Sequence, residues 1–215
     1  MIFDLGGVVL GSPIHAIRRY EQHLGIPRNT INRVVADTAP HGAWSRLERG
    51  ELAMERFYEA FEADCLAAGH EISARTMMEW MAEESAPRPA MLDAIRTIRE
   101  QGLKTGALTN NWAAPDAEES ARSDGTRALR AHFDVFVESS VEGLRKPDPR
   151  IYELACRRLD VAPIEAIFLD DIGANLKPAR EMGLTTIKVD EPREALAELE
   201  RRVGFRLSAG AGLAS

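Results

Sequence analysis

The sequence predicts an α/β protein in which helices wrap a parallel sheet and an all-helical segment interrupts the chain near its start. From residue 87 onward, short apolar runs alternate with segments of helical periodicity, as in a parallel sheet with helical crossovers. Residues 12–86 show helical patterns alone. Three apolar runs end in acidic, hydroxyl or amide side chains, and open parallel sheets bind ligands beyond the carboxyl ends of their strands.

The predicted first strand is short and ends in a charge. The apolar residues 1–3 lead directly into Asp4, and two glycines follow at positions 6 and 7. This pattern is typical of a buried strand whose C-terminal end reaches solvent, and the glycines allow a ligand to approach the backbone. Taken alone, Asp4 is equally well interpreted as a turn residue.

The inserted segment begins with a helix start signal, since Ser12 is a typical N-cap and Pro13 suits the first helical position. Helical periodicity then predicts helices that start near Thr30, run from Leu52 to Ala68, and start after Ser73. We expect residues 12–86 to form a helical cap domain above the strand ends.

The remaining chain supplies the sheet. Strands are predicted at 103–108, 135–138, 166–169 and 185–189, and helices at 89–101, 149–159, 175–182 and 192–203. Residues 113–131 are polar and are expected to be partly helical. We expect residues 1–11 and 87–207 to form the α/β core domain, with a flexible tail at 208–215.

Composition limits the classes of function. A chain of 215 residues that is 45% hydrophobic can bury one core with an appended domain. The net charge of −7 argues against binding to nucleic acid or to an anionic membrane. Cys65 and Cys156 lie in helical patterns, typical of buried thiols in a reducing compartment. We expect a cytoplasmic monomer or homodimer. Because the predicted first strand begins at residue 1 with no lead-in, we also expect that a few native residues, or a whole fusion partner, are missing from this sequence.

Carboxylates at two strand ends indicate a metal site. Asp4 follows the first strand, and Asp170 and Asp171 follow the fourth. Like charges that converge are unfavourable unless a cation lies between them. Because oxygen ligands suit Mg²⁺, we expect this cofactor at the strand ends.

Other residues near the strand ends suit a phosphate group. Thr109 offers a hydroxyl, Asn110 an amide, and Lys146 a compact positive charge. A carboxylate such as Asp4 could then attack phosphorus as a nucleophile. Taken singly, each residue also has a structural interpretation: Lys146 as a solvated lysine, and Thr109 with Asn110 as a helix cap.

Four segments together resemble the motifs of the haloacid dehalogenase superfamily, in the same order and with similar spacing. They are residues 3–9 (FDLGGVV), 108–110 (LTN), 145–149 (RKPDP) and 168–175 (FLDDIGAN). The resemblance is greatest to the N-terminal phosphatase domain of soluble epoxide hydrolases and to related domains fused to some acyl-CoA dehydrogenases. It implies a Rossmann-like core with a helical cap.

The resemblance also implies roles for single residues. Asp4 would be the nucleophile and a metal ligand, together with the backbone carbonyl of Gly6 and the side chain of Asp171. Asp170 would belong to the same metal cluster and orient Lys146 or a metal-bound water.

The same resemblance implies residues that contact the substrate. Thr109, Asn110 and Lys146 would hold the phosphate, and Lys146 would be catalytic. From the cap we expect Trp44 and Arg46 to contact the rest of the substrate.

One position departs from the family pattern. Active phosphatases of this superfamily usually carry an aspartate two residues after the nucleophile as general acid and base, although some members with glycine there resemble working phosphatases, and here that residue is Gly6. A cap residue such as His41 or Glu48 could replace it. We expect a Mg²⁺-dependent phosphatase that acts on a small phosphorylated metabolite through an aspartyl-phosphate on Asp4. The alternatives are a non-catalytic or regulatory domain of a larger enzyme and, less favoured, a haloacid dehalogenase, which needs no metal.

Overall fold

A parallel sheet forms the centre of the computed structural model, which describes residues 1–113 and 128–207. Most of the polar stretch predicted at 113–131 and all of the tail at 208–215 lie outside the described residues. The strands are β1 (Ile2–Phe3), β2 (Gly106–Thr109), β3 (Val135–Glu138), β4 (Ile167–Asp170) and β5 (Thr185–Lys188). The predicted α/β class is confirmed.

The strand order places the end of β1 at the centre of the sheet. The order is β3-β2-β1-β4-β5 with all neighbours parallel, so the chain builds outward from β1 on one side and then on the other. The register pairs Phe3 with Ala107 of β2 and with Leu169 of β4. The next residues along these strands therefore meet at the point where the strand order reverses, which is where such sheets bind ligands.

Helices cover the sheet and fill the inserted segment. They are α1 (Pro13–Leu24), α2 (Thr30–Thr38), α3 (Ala43–Glu48), α4 (Met54–Ala67), α5 (Ala74–Glu83), α6 (Pro89–Glu100), α7 (Ser139–Glu142), α8 (Pro149–Leu159), α9 (Gly173–Glu181) and α10 (Pro192–Val203). Between residues 12 and 86 the chain is helical and contains no strand, as predicted. Within the described ranges, no helix is both long enough and apolar enough to cross a membrane.

The two faces of the sheet carry separate apolar clusters because successive side chains of a strand point to opposite faces. Phe3 belongs to one cluster, with residues of α6 and α10, and Ile2 belongs to the other, with residues of α8 and α9. Both side chains are fully buried. The short strand β1 is therefore held on both faces, which fixes the position of its carboxyl end.

The helical segment has an apolar cluster of its own, whose described buried members run from Ala16 to Met81. The rings of Phe57 and Phe61, one turn apart on α4, stack with centroids 5.3 Å apart. Trp112, just after β2, packs against this cluster from the sheet side. The division into a core domain and a cap domain stays a prediction.

Some boundaries differ from those predicted. The strand β2 begins at Gly106 instead of Leu103, because Leu103 is 39% exposed and the backbone N–H of Thr105 donates to the Asp134 carboxylate at 2.8 Å. The short helices α3 and α7 were not predicted, since six and four residues are too few to show a helical period.

Candidate active site

The carboxyl ends of β1 and β4 bring two aspartates together. The backbone N–H of Asp4 donates to the Leu169 carbonyl at 2.9 Å, so Asp4 lies beside Asp170, the last residue of β4. A wide turn follows over residues 5–9, closed by a hydrogen bond from the Leu10 N–H to the Leu5 carbonyl. Asp4 is therefore held by the sheet and not by a flexible loop.

Gly7 makes room for the third aspartate. Its φ is +79°, a conformation that favours glycine, and an added Cβ would lie 2.0 Å from Oδ2 of Asp171. Any side chain at position 7 would therefore displace the Asp171 carboxylate. Of the two glycines at positions 6 and 7, the second is therefore required because no side chain fits beside Asp171.

Lys146 joins the two strand ends. Its side chain is 1% exposed, and its Nζ lies 2.8 Å from Oδ1 of Asp4 and 2.7 Å from Oδ2 of Asp170. This burial excludes the interpretation of Lys146 as a solvated loop lysine. Burial alone would lower the pKa of Lys146, but the Asp170 and Asp4 carboxylates raise it overall, so the ammonium form is held.

Asp170 is saturated by donors from the protein. Besides Lys146, its carboxylate accepts from the backbone N–H of Ile172 at 2.7 Å and from Nδ2 of Asn175 at 3.1 Å on both oxygens. Tyr152 donates its hydroxyl to the Asn175 carbonyl at 2.7 Å. These contacts favour the orienting role expected for Asp170 over direct metal ligation.

Asn175 and Tyr152 are residues that sequence reasoning missed as contributors to the site. Asn175 ends the fourth motif, so its position carried a signal. Tyr152 gave none, because a buried tyrosine on α8 looks like any other core aromatic.

The acidic cluster has the donor chemistry of a Mg²⁺ site. Ligand atoms of Asp4, Asp170 and Asp171 lie within 4.8 Å of one another. Both contacts of the Asp4 side chain, from Leu5 N–H and Lys146, fall on Oδ1, so Oδ2 has no hydrogen bond within the described ranges. Three carboxylates face one ammonium, which leaves excess negative charge for a divalent cation to neutralise.

Asp171 differs from its neighbour Asp170 in having fewer side-chain hydrogen bonds in the part of the chain that the structure describes. Its Oδ2 accepts one long hydrogen bond, 3.4 Å, from the Ser12 hydroxyl. Burial, followed by the Asp170 carboxylate, raises the pKa of Asp171 to about 6. Burial likewise raises the pKa of Asp4, although contact with Lys146 opposes the shift. Ser12, predicted as an N-cap, makes no capping hydrogen bond because its hydroxyl faces Asp171.

The predicted phosphate ligands Thr109 and Asn110 differ in how far their polar groups are already engaged in hydrogen bonds. Thr109 is buried at the end of β2, and among residues 1–113 and 128–207 its hydroxyl makes one hydrogen bond, at 3.4 Å, to the Asn110 carbonyl. The Asn110 amide is fully used: Oδ1 accepts from the Lys146 N–H at 2.9 Å, and Nδ2 donates to the Lys146 carbonyl and to Glu48. Asn110 therefore clamps the Lys146 backbone.

A cavity of about 490 Å³ lies over the strand ends. Its floor includes Gly6, Thr109 and Asn110, and Glu79 and Glu138 also line it. Its walls are largely apolar and come from both the helical segment and the sheet: Leu10, Pro13, Met54, Tyr58, Met78, Met81, Ala82, Trp112, Leu129 and Phe136. The helical segment thus supplies part of the wall, as expected of a cap.

The two cap residues expected to touch substrate do not line this cavity. Trp44 is buried in the apolar cluster, with its ring against Phe57 and Phe61. The Arg46 side chain is 43% exposed and faces Glu51 at 4.0 Å. Met54 and Tyr58 of α4 line the cavity in their place, and sequence reasoning missed both.

Neither residue considered as a substitute general acid is in place for that task. His41 is exposed and does not line the cavity. Glu48 does not line the cavity either, and its carboxylate already accepts hydrogen bonds from three donors, Trp44, Asn110 and Arg145.

Gly6 has an ordinary backbone conformation, with φ −63° and ψ 126°. A Cβ at this position would meet the Pro13 ring at 3.1 Å and 3.2 Å, closer than ordinary van der Waals contact. Pro13 therefore crowds the position at which the resemblance to phosphatases implies a second aspartate.

Comparisons with known proteins agree with this arrangement. The model of the haloacid dehalogenase-like hydrolase family matches residues 1–183. The chain is 40% identical over 213 residues to acyl-CoA dehydrogenase family member 10 of Mus musculus, covering 98% of this chain and 20% of that protein. It is 34% identical over 215 residues to bifunctional epoxide hydrolase 2 of Sus scrofa, covering 96% of this chain and 39% of that protein. The resemblance read from the four motifs is confirmed.

The chain spans only about a fifth and two fifths of the lengths of these two relatives. A third relative is similar over its whole length: the sesquiterpene phosphatase of Aspergillus oryzae is 27% identical over 207 residues, covering 94% of this chain and 95% of that protein. The chain thus has phosphatases among its relatives.

Solved structures show the same fold. A HAD-like family hydrolase from Porphyromonas gingivalis aligns with a TM-score of 0.68 and 22% identity, over 94% of this chain and 96% of that one. A HAD-family enzyme from Bacteroides thetaiotaomicron, solved with magnesium and inorganic phosphate, aligns with a TM-score of 0.60 and 19% identity, over 87% and 91%.

Proposed function

The chain belongs to the haloacid dehalogenase-like hydrolase family, and we propose that it is a Mg²⁺-dependent phosphatase that uses Asp4 as its nucleophile. The observation that carries the proposal is the placement of Lys146 between Asp4 and Asp170, at 2.8 Å and 2.7 Å. This contact holds one oxygen of Asp4 and leaves the other unbonded within the described ranges, as a carboxylate nucleophile requires.

Asp4, the Gly6 carbonyl and Asp171 would hold the metal ion. Bound there, Mg²⁺ supplies positive charge beside the phosphate oxygens. Lys146 adds a second positive charge, and the Thr109 hydroxyl is a donor for a phosphate oxygen.

In the proposed reaction, a carboxylate oxygen of Asp4 bonds to phosphorus as the bond from phosphorus to the ester oxygen breaks. The organic group leaves as an alkoxide or phenoxide, which takes its proton from water because Gly6 has no side chain to supply one. Water then attacks phosphorus, which releases inorganic phosphate and regenerates the Asp4 carboxylate.

The cavity supports a finer proposal about the substrate. Its walls are formed by Leu, Met, Tyr, Trp and Phe side chains, so burying an apolar organic group there is favourable. We therefore propose phosphate monoesters of apolar alcohols or phenols as substrates, in preference to sugar phosphates. The similarity to a sesquiterpene phosphatase supports this choice. Residues 12–86 would act as the cap that encloses this group.

A panel of phosphate esters, assayed with and without Mg²⁺, tests the proposal. We expect kcat/KM for 1-naphthyl phosphate to exceed that for a sugar 1-phosphate, and turnover to vanish with EDTA. Calorimetry should detect Mg²⁺ binding that is lost in Asp171→Ala and kept in the exposed-site control Asp190→Ala. Metal binding without hydrolysis of any ester would favour the regulatory alternative. Removal of halide from 2-haloacids without metal would favour a dehalogenase.

A further inference from the structure

We propose that Glu48 is a positioning residue: its carboxylate fastens helix α3 of the inserted segment to the loop that carries Lys146. The inference rests on the proposed function for its kinetic consequence, although the contacts themselves do not. It explains why a glutamate is buried at the end of a short helix, beside the strand ends.

The contacts of Glu48 join two distant parts of the chain. Oε2 accepts from Nε of Arg145 at 2.5 Å and from Nδ2 of Asn110 at 3.2 Å. Oε1 accepts from Nε1 of Trp44 at 3.0 Å. Arg145 lies 97 residues further along the chain, so one carboxylate bridges the helical segment and the α/β part.

Burial makes this bridge specific. The side chains of Glu48 and Arg145 are 8% and 17% exposed, so water competes little for their charges. A buried ion pair adds little net stability against an apolar replacement, but removing one partner leaves the other uncompensated. Such a pair therefore acts mainly to select one arrangement of the two segments.

The bridge reaches Lys146 by two routes. Arg145 is its direct neighbour in the chain, and Asn110 clamps both the N–H and the carbonyl of Lys146 at 2.9 Å and 3.1 Å. Glu48 holds both of these residues on a single oxygen. Without that oxygen, the Lys146 loop loses its restraint from the helical segment, and the position of Nζ between Asp4 and Asp170 becomes less well defined.

Trp44 connects the same carboxylate to the apolar cluster of the helical segment. Its ring contacts Phe57, Phe61 and Trp112, with centroids 5.4–6.1 Å apart. Glu48 is therefore oriented by a residue whose place depends on the packing of that cluster. The geometry couples a seated helical segment to an ordered Lys146.

Glu48→Gln tests the proposal because it keeps the size of the side chain and removes its charge. The matched control is Glu51→Gln, three residues further along the chain than Glu48, which breaks the exposed pair between Glu51 and Arg49. Hydrogen exchange monitored by mass spectrometry gives a readout that does not depend on activity. In Glu48→Gln we expect faster exchange in peptides covering residues 109–111 and 143–148. In Glu51→Gln we expect exchange in the same peptides to match that of the wild type.

The kinetic readout is the hydrolysis of 1-naphthyl phosphate far below the unfolding temperature. We expect kcat to fall by roughly 10–10²-fold in Glu48→Gln while KM changes less, because the variant misplaces a group that acts on the reacting phosphate. Glu48→Asp should recover little, since the shorter side chain cannot span the same gap.

Each outcome separates the possible roles. Unchanged exchange at 143–148, or faster exchange spread evenly over the whole chain, would overturn the proposal, since Glu48 would then have no local hold on the loop. Unchanged kcat in a variant with reduced thermal stability would also overturn it, as a purely structural role predicts. A wild-type protein that hydrolyses no ester, but whose loop exchanges faster in Glu48→Gln, would overturn the phosphatase proposal and support the bridge itself.

Discussion

At the strand ends most of the buried side chains named above are charged and hydrogen-bonded, whereas in the helical segment most of the buried side chains are apolar and packed. Lys146, Asp4 and Asp170 each have defined partners at 2.7–2.8 Å. The cluster around Phe57 and Phe61 is held by ring contacts and burial, which have little directionality.

The difference indicates a division of tasks: the charged network at the strand ends suits a chemical reaction, and the apolar helical segment suits enclosure of a ligand. A network of charges depends on every member, because a buried charge without its partner is strongly unfavourable. An apolar cluster distributes its stabilisation over many contacts, so it tolerates change while the cavity wall it supports is adjusted. Glu48 is the place where the two kinds of structure meet.

Removing Lys146 should have the largest effect on the strand ends. Lys146→Met leaves Asp4 and Asp170 facing each other without a cation, which should lower the free energy of unfolding by about 3–5 kcal/mol in metal-free protein. Urea unfolding at pH 8 measures this loss. The control Lys188→Met breaks an exposed pair with Asp190 and should change stability by less than about 1 kcal/mol. Equal losses in both variants would contradict the account of a buried charge network.

Phe57→Ala should damage the helical segment and leave the cluster of aspartates at the strand ends intact. The side chain is fully buried, so its truncation should cost about 3–5 kcal/mol of unfolding free energy. Because the ring contacts of Phe57 in the described part of the chain are with Trp44, Tyr58 and Phe61 and not with the acidic cluster, Mg²⁺ binding measured by calorimetry should persist. Leu66→Ala, at an exposed position of the same helix, serves as control. Loss of Mg²⁺ binding in the folded Phe57→Ala protein would show that the two regions are not separable.

The steric contact at Gly6 gives a third comparison. Turnover should depend steeply on the leaving-group pKa, with aryl esters much faster than alkyl esters, because no general acid stands at position 6. Gly6→Asp alone should help little, since its Cβ meets Pro13 at 3.1 Å. The double variant Gly6→Asp with Pro13→Ala should raise alkyl ester turnover by up to about 10²-fold. Fast alkyl hydrolysis by wild type would reveal another acid.

Of these effects, we expect the pH dependence of metal binding to be the smallest. The pKa of Asp171 is about 6 in the metal-free protein, chiefly through burial, and Mg²⁺ binds only the carboxylate. The rise in unfolding temperature with Mg²⁺ should be full at pH 8 and shrink below pH 6.

In metal-free protein, Asp171 changes the stability of the fold with pH in the opposite direction. Its folded pKa lies above the ordinary value of 3.8, so protonation of Asp171 stabilises the fold at low pH, and that contribution is lost as pH rises through about 6. A Mg²⁺ effect of equal size at pH 5 and pH 8 would argue that Asp171 is not a ligand.

The strand ends were predictable because a strand's direction decides which residue stands at its tip. Asp4, Thr109 and Asp170 each follow an apolar run, and the structure brings all three to the same edge of the sheet. The hydrogen-bond partners of the strand-end residues could not be predicted from the strand pattern. Asn110 offers its amide to the Lys146 backbone, and this choice depends on a loop 36 residues away.

The helical segment shows why the residues that face the site from helices could not be predicted. The face that a helix turns toward a site depends on its packing partners, and α3 has only six residues to show a period. Arg46 faces Glu51 at the surface, whereas Glu48, two residues later, faces Arg145. Met54 and Tyr58 line the cavity although their spacing on α4 is the same as that of core residues.

The most direct test of nucleophilic catalysis by Asp4 is to trap its covalent state. Wild-type protein is mixed with Mg²⁺ and 1-naphthyl phosphate, quenched in acid during turnover, digested, and analysed by mass spectrometry. We expect one added phosphoryl group on the peptide that contains Asp4, which hydroxylamine removes, and no turnover and no adduct in Asp4→Asn. Turnover that persists in Asp4→Asn, or a phosphoryl group found on another residue, would contradict it.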